Sequence, residues 1–573
     1  MTDYAPPVQD MSFVLHDCLN FSHDGLDRET VEAVLDEAAR LAADVLAPLN
    51  FSGDRAGLTL STEADVKMPA GFRDAYQQYC AGGWNAVPFD PDFGGQGLPW
   101  ALAFAVQEMW QGANMAFGLC PLLNQGAVEA ILSHGSEAQK AYYLPKLISG
   151  EWTGTMNLTE PQAGSDLGLI RTRAQQQEDG TYKIFGQKIW ITYGEHDLSG
   201  NIIHLVLARI DGAPDDVKGI SLFIVPKILE DGRRNDAKCV GLDHKLGIHA
   251  SPTCVMQYGD QGGATGYLIG EPHQGLKYMF TMMNNARLSV GLQGVAISER
   301  AAQAAIAYAA ERVQGKSFQS GERVSINQHA DVKRMILTMR ALTQAGRALC
   351  YEAASALDLA LAGDQTAQLK VDLLTPIVKS WCTDIAQEVT YLAIQVHGGM
   401  GFIEETKVAQ YYRDARILSI YEGTNGIQAA DLAFRKILRD GGGYVTALLQ
   451  ELEGEAKGFD APWSAALTAA LSTLGQATQA LLAAGGANAK GGASDTSKAN
   501  LDLVGAMATP YLKAFGIALG AMSMARMEQA AANAQDKDFA AEKKAIAQFY
   551  RGNILPLAAA QCDIAVNGSK SVA

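Results

Sequence analysis

The chain has 573 residues, 48% of them hydrophobic, which is material for several domains with sizeable cores. A formal net charge of -16 and a pI near 5.1 argue against nucleic acid as the main partner, because phosphate binding needs a basic face. The eight cysteines lack metal-ligand or redox spacing, and the ten histidines form no HExxH pattern, so neither a disulfide framework nor a metal centre is expected. His244 and His249 stand five apart without the Glu that a zinc helix needs.

The first ten residues carry neither a basic patch nor an apolar core, and no run approaches the roughly 18 apolar residues of a membrane span. A cytoplasmic protein without stable membrane insertion is the expectation. Residues 26–47 read as an amphipathic helix, with Val31, Val34, Leu35, Ala38, Leu41, Ala42 and Val45 recurring at three and four and Pro48 stopping the pattern. A second helix is predicted from Phe72 to Cys80. The GGQG of the turn-rich stretch 88–97 follows no strand and reads as a plain turn. Helical patterns resume from Trp100 to Leu147.

Near residue 151 the composition changes. The stretches 182–191, 202–208 and 220–225 are short, β-branched and bounded by Gly, Pro and Asp, which predicts a β domain ending near Gly270. From Gly275 the helical period returns. Helices over Leu276–Val313 and Asn327–Leu361 would each run about 50 Å, a length suited to a bundle. A third, Thr375–His397, ends at Gly398 and Gly399. Gly441–Gly443 is a hinge candidate. Beyond it lies an Ala-rich part with helical patterns near 444–457, 461–484, 499–534 and 541–558, broken by a low-complexity loop at 485–494. Its stripe of Leu501, Val504, Met507 and Leu512 must be covered by something. The layout is mainly α with one β domain, divided as 1–152, 153–275, 276–440 and 441–573.

One acid stands out. In the stretch from Arg413 to Gln428, Glu422 sits between the apolar run 417–420 and the breaker cluster Gly423-Thr424-Asn425-Gly426. Partial burial would raise its pKa and fit it to take a proton near neutral pH. A Glu near a helix N-terminus, favoured by the dipole, is the other reading of the same residues.

Four further stretches accompany it: 156–166 (MNLTEPQAGSD), 187–194 (QKIWITYG), 284–287 (NNAR) and 395–402 (QVHGGMGF). With 420–424 (IYEGT) they closely resemble, in order and in the 27-residue gap from Gln395 to Glu422, the acyl-CoA dehydrogenase family. The extension 441–573 resembles that of long bacterial members, including those acting on 3-(methylthio)propanoyl-CoA. The resemblance implies an N-terminal helical domain, a middle β-barrel, a C-terminal four-helix bundle and FAD as cofactor. Met156, Leu158, Thr159, Gly164 and Ser165 would line the flavin, with Ser165 also meeting substrate. Trp190 would pack on its ring system and Thr192 would bond near its reactive nitrogen. Arg312, His329, Gln395, Gly398 and Gly399 would reach a flavin held mainly by the other subunit, which implies a homodimer. Thr424 and Asn425 complete the cofactor set.

Asn284, Arg287, Tyr421 and Gly423 match substrate positions, and Glu422 matches the base for α,β-desaturation of an acyl-CoA. The alternative base position of the family is Ala286 here, which cannot serve. Three departures stand out: Arg312-Val-Gln-Gly315 is one residue short of the usual spacing, Asn284 replaces a common Asp, and Gly426 replaces a polar residue. Electrons would pass to electron-transfer flavoprotein. An acyl-CoA oxidase and a flavin-bearing nucleic-acid-binding relative are the alternatives, the second opposed by the acidic charge. 3-(Methylthio)propanoyl-CoA and medium- or long-chain fatty acyl-CoAs are all open as substrates.

Overall fold

A computed structural model describes residues 4–486 and 499–573; most of the low-complexity loop expected at 485–494 lies outside them. The chain forms two compact units, one from residues 38–99 and 109–286, the other from 4–37, 100–108 and 287–573.

In the first unit, Pro48 does not end the helical run. The pattern passes through a wide turn at Leu41–Leu46 into the helix Ala47–Ala56, with Pro48 in its first turn, where a missing N–H costs nothing. Helices Phe72–Ala81, Met115–His134 and Glu137–Ile148 follow. Ser136 and Gln139 form a reciprocal cap at the start of the last. Met115–His134 in this unit and Leu501–Ala531 in the second are each long and apolar enough to cross a membrane by length and composition, but 89% and 67% of their apolar windows are buried within the protein, as in core helices.

The β domain has eight strands: β1 (Trp152–Asn157), β2 (Arg173–Gln176), β3 (Tyr182–Thr192), β4 (Asn201–Ile210), β5 (Ile220–Pro226), β6 (Ala237–Leu242), β7 (Thr253–Tyr258) and β8 (Ala264–Leu268). β4 pairs antiparallel with β5 and parallel with β1 and β2. β8 pairs with both β5 and β3, which closes the sheet on itself. Ile184, Val206, Phe223, Val225, Met256 and Tyr258 fill the interior. The helix Met115–His134 lies directly on β1, and a Cβ on Gly154 would stand 2.2 Å from the Ala127 methyl.

The second unit is built on three long helices, Gly275–Glu311 from Arg287 onward, Ala330–Leu361 and Gln365–His397. The last starts ten residues before the expected Thr375, capped by the Asp364 side chain, and holds Pro376 inside it. The extension adds helices Gly443–Ala456, Ala461–Ala484, Leu501–Ala531, Lys537–Asn553 and Pro556–Val566. They pack on the bundle: a Cβ on Gly516 or Gly520 would come within 2.4 or 2.7 Å of the Trp381 ring. Val504, Met507 and Leu512 of the expected stripe are buried, whereas Leu501 is exposed.

A buried ion cluster ties this unit together. Arg347, fully buried, bonds Glu108 (2.6 Å) and Glu299 (2.8 Å) and lies 3.7 Å from Asp10, which in turn pairs with Lys543 at 2.7 Å. Tyr351 donates to Glu108 at 2.8 Å. Charges so deep are tolerable only because each has an opposite partner.

Candidate active site

Glu422 sits in a turn of the second unit that local sequence dictates. The helix Val408–Ala415 tightens at Arg416–Ser419, and the Tyr421 N–H bonds the Ile417 carbonyl at 3.1 Å. Glu422 and Gly423 then both adopt positive φ, +55° and +81°. A left-handed glutamate is strained by about 1–3 kcal/mol and persists only where its surroundings hold it. Here the Gln428 side chain donates to the Glu422 carbonyl at 3.1 Å, and the Tyr421 hydroxyl donates to Gln293. Thr424 caps the helix Asn425–Ala430, its hydroxyl accepting from the Ile427 N–H at 3.2 Å. Asn425, expected near a flavin, turns its amide to the helix Gln365–His397, bonding Lys379 (2.9 Å), Asp384 (2.7 Å) and Ser380 (3.2 Å).

The charges around Glu422 oppose one another. Burial raises its pKa above the usual carboxyl value, while Arg287 and Lys379 pull it back. Burial pushes Lys379 down to about 7, against the pull of Glu422 and Asp384. Arg287 is buried, lowered in pKa by that burial, and stands 4.0 Å from Asp431. Its guanidinium would lie 3.9 Å from a Cβ on Gly423, so Arg287, Tyr421, Glu422 and Gly423 form one cluster. Ala286 is buried and Asn284 exposed on the preceding turn. Lys379 was missed in the sequence. Its signal was a lysine in the stretch Leu373–Thr383, where every residue proves buried.

The barrel holds a second set of expected residues. β3 slips register between Lys188 and Ile191, and within this bulge Trp190 takes φ +60° and turns its indole outward, 61% exposed. The Ile189 N–H bonds the Thr159 carbonyl at 2.9 Å, and the Thr155 hydroxyl donates to the Thr192 carbonyl at 2.6 Å. Met156, Leu158, Thr159, Trp190 and Thr192 are thereby gathered on adjoining backbone. Gly164 and Ser165 are exposed on the loop that follows. A pair that sequence reasoning passed over braces this loop. Glu160 accepts from Lys188 at 2.8 Å and from Thr172 Oγ1 at 2.6 Å, while Lys188 also donates to the Leu158 carbonyl at 2.9 Å.

The third set stands at the ends of the long helices of the second unit. Arg312 follows Gly275–Glu311, and Gly398 with φ +59° ends Gln365–His397. The rings of Tyr308 and His397 stack at 4.3 Å and join these two ends. His329 lies against the Gln314 carbonyl at 2.8 Å. Arg312, Gln395, Gly398 and Gly399 are exposed, and a Cβ on either glycine would meet nothing within 4 Å. Each set by itself has donors of the kind a flavin dinucleotide needs: in the barrel, an exposed indole beside backbone amides suits a flat heteroaromatic ring, and at the helix ends an exposed guanidinium with open glycine backbone suits a pyrophosphate and adenine.

Comparison with known proteins finds matching domain models along the chain. Residues 28–151, 155–260 and 273–437 match the models of the N-terminal, middle and C-terminal acyl-CoA dehydrogenase domains, and 445–573 matches the acetyl-CoA dehydrogenase C-terminal-like domain. The chain is 50% identical over 457 residues to 3-methylmercaptopropionyl-CoA dehydrogenase of Ruegeria pomeroyi, covering 77% of each. It is 34% identical over 602 residues to a broad-specificity linear acyl-CoA dehydrogenase of Mycobacterium tuberculosis, covering 97% of this chain and 96% of that one. Among solved structures, the acyl-CoA dehydrogenase complexed with FAD from Bacillus anthracis shares the fold over 98% of this chain and 92% of its own, with TM-score 0.77 at 19% identity.

Proposed function

The chain belongs to the acyl-CoA dehydrogenase family, FAD-dependent oxidoreductases acting on acyl-CoA, and on that premise we propose that Glu422 is the base of the reaction. The observation that carries this is a carboxylate held in a left-handed turn, raised in pKa by burial, with Arg287 and Lys379 facing it. Glu422 removes the α-proton of the thioester, forming an O–H bond on its own carboxyl as the α-carbon–hydrogen bond breaks. Bound FAD supplies the hydride acceptor for the β-carbon, a chemistry no side chain offers, and the product is the trans-2-enoyl-CoA. The backbone N–H of Glu422 has no acceptor among the described residues and is available to the negative charge growing on the thioester oxygen.

Met156, Leu158, Thr159, Gly164, Ser165, Trp190 and Thr192 would hold the flavin from the barrel, and Arg312, His329, Gln395, Gly398 and Gly399 its adenine half. Arg287, Tyr421 and Gly423 border the acyl thioester. The substrate is a short thioether thioester, 3-(methylthio)propanoyl-CoA, a reading supported by the 50% identity to the Ruegeria enzyme named for that acyl group. Electrons leave to electron-transfer flavoprotein in the cytoplasm. The working unit is a homodimer, supported by the apolar side chains Phe318, Met400, Phe402 and Ile403 exposed beside the third residue set. Anaerobic bleaching of the flavin by acyl-CoA tests the central claim: Glu422→Gln should retain FAD and bind acyl-CoA without bleaching, and near-normal bleaching would place the base elsewhere.

A further inference from the structure

Lys379 is a fully buried cation. It lies in the wholly buried stretch of the helix Gln365–His397, and its ammonium donates to Asn425 Oδ1 at 2.9 Å. Asn425 is three residues beyond Glu422 and opens the next helix. Its Nδ2 reaches Asp384 Oδ1 at 2.7 Å and the Ser380 carbonyl at 3.2 Å, so one amide side chain fastens the Glu422 turn to the long helix. Behind it, Lys513 of the extension helix Leu501–Ala531 stands 3.6 Å from Asp384 Oδ2.

We propose that Lys379 is a positioning residue for the desaturation: clipped to Asn425, its ammonium holds the Glu422 turn and biases that carboxyl toward its ionised, proton-accepting form. The inference rests on the reading of Glu422 as the base. The charged groups facing this pair come from four elements. Arg287 reaches Glu422 from the helix Gly275–Glu311. Asp431 and Arg435, which follow the helix Asn425–Ala430, act on Arg287 with opposite signs. Asp384 lies one turn beyond Lys379 on its own helix, and Lys513 approaches from the extension. Of the two cations facing Glu422, Arg287 keeps its charge at every working pH, whereas Lys379, pushed down to about 7, loses its charge as the pH rises through neutrality. Taking a cation away destabilises the carboxylate, so Glu422 must then retain its proton to higher pH.

The test is anaerobic flavin reduction by acyl-CoA in the holoenzyme, followed from pH 6 to 10 in Lys379→Met, Lys379→Arg and Glu422→Gln. Lys379→Met should slow reduction about tenfold or more at pH 7 and recover at alkaline pH, with a midpoint at least about one unit higher. Lys379→Arg, permanently charged, should move the midpoint down. A uniform loss across pH in Lys379→Met, with the midpoint unmoved, makes Lys379 merely structural and overturns the proposal. If Lys379→Met gives no holoenzyme, Lys379→Arg decides: a lower midpoint supports the proposal, and an equal or higher one overturns it. Bleaching by Glu422→Gln overturns the assignment of the base itself. Its absence, together with unmoved Lys379 midpoints, overturns only the present inference.

Discussion

Two glutamates that each face a buried lysine have opposite chemistry. In the barrel, Glu160 touches Lys188 at 2.8 Å and accepts further from the Thr172 hydroxyl and the Arg171 and Thr172 N–H groups. Every lone pair is engaged, and although burial alone would raise it, Lys188 and the other donors hold Glu160 down to about 2. In the second unit, Glu422 also faces a lysine, but Lys379 gives its hydrogen bond to Asn425, and no described residue donates to the Glu422 carboxylate. That acid rises in pKa instead. Desolvation pushes both carboxyls up; saturation by donors separates a brace from a base.

The sharpest way to break the comparison is Glu422→Gln, which keeps shape and loses basicity. Flavin reduction should fall by about three orders of magnitude or more, measured in a single turnover, with stability little changed. Glu160→Gln should do the reverse. It leaves the Lys188 ammonium buried without its counter-charge, and chemical denaturation should record a loss of roughly 3–5 kcal/mol. The pH dependence follows the same logic. Glu160 has a depressed folded pKa, so its contribution is present above about pH 4.5 and is lost as the pH falls from there toward 2. An acid-unfolding curve that Glu160→Gln leaves unmoved in that window would contradict the brace.

Removing the chain after Gly441 sharpens the contrast from outside. It strips Lys513 and uncovers the Trp381 face, so sedimentation should show tetramers or aggregates in place of the proposed dimer. A soluble dimer with unchanged melting temperature would refute the packing role. The smallest effect is expected of Gly423→Ala. Its φ of +81° and a Cβ 2.8 Å from Gln428 Nε2 should cost on the order of 1 kcal/mol in thermal unfolding and slow reduction by loosening the turn.

Much of the layout was legible because it depends on local period. The strand expected at 182–191 is Tyr182–Thr192, and the helix expected at 461–484 is Ala461–Ala484. Helix limits were less legible. Pro48 starts a helix it was expected to stop, and the helix expected from Thr375 begins ten residues earlier, at Gln365, with Pro376 inside it. The candidate residues came from motif resemblance, and what motifs leave out is what differs most here. Lys379 meets Asn425 across 46 positions and Glu160 meets Lys188 across 28, pairings that no local pattern carries. Nor did the residues beside Glu422 announce its positive φ, although the following glycine pointed to a turn.

The buried cluster at Arg347 has a consequence for the order in which the protein can be made. Asp10 pairs with Lys543, so the second unit needs both early and late residues of the chain. A ribosome releases the barrel unit, complete by Ala286, long before it releases residue 543. The barrel unit can therefore fold during synthesis, while Asp10 and Arg347 wait with their charges in water. Assembly of the second unit becomes a late event with a high loop-closure cost, and truncated or stalled chains would expose a half-built ion cluster to the cell's quality control.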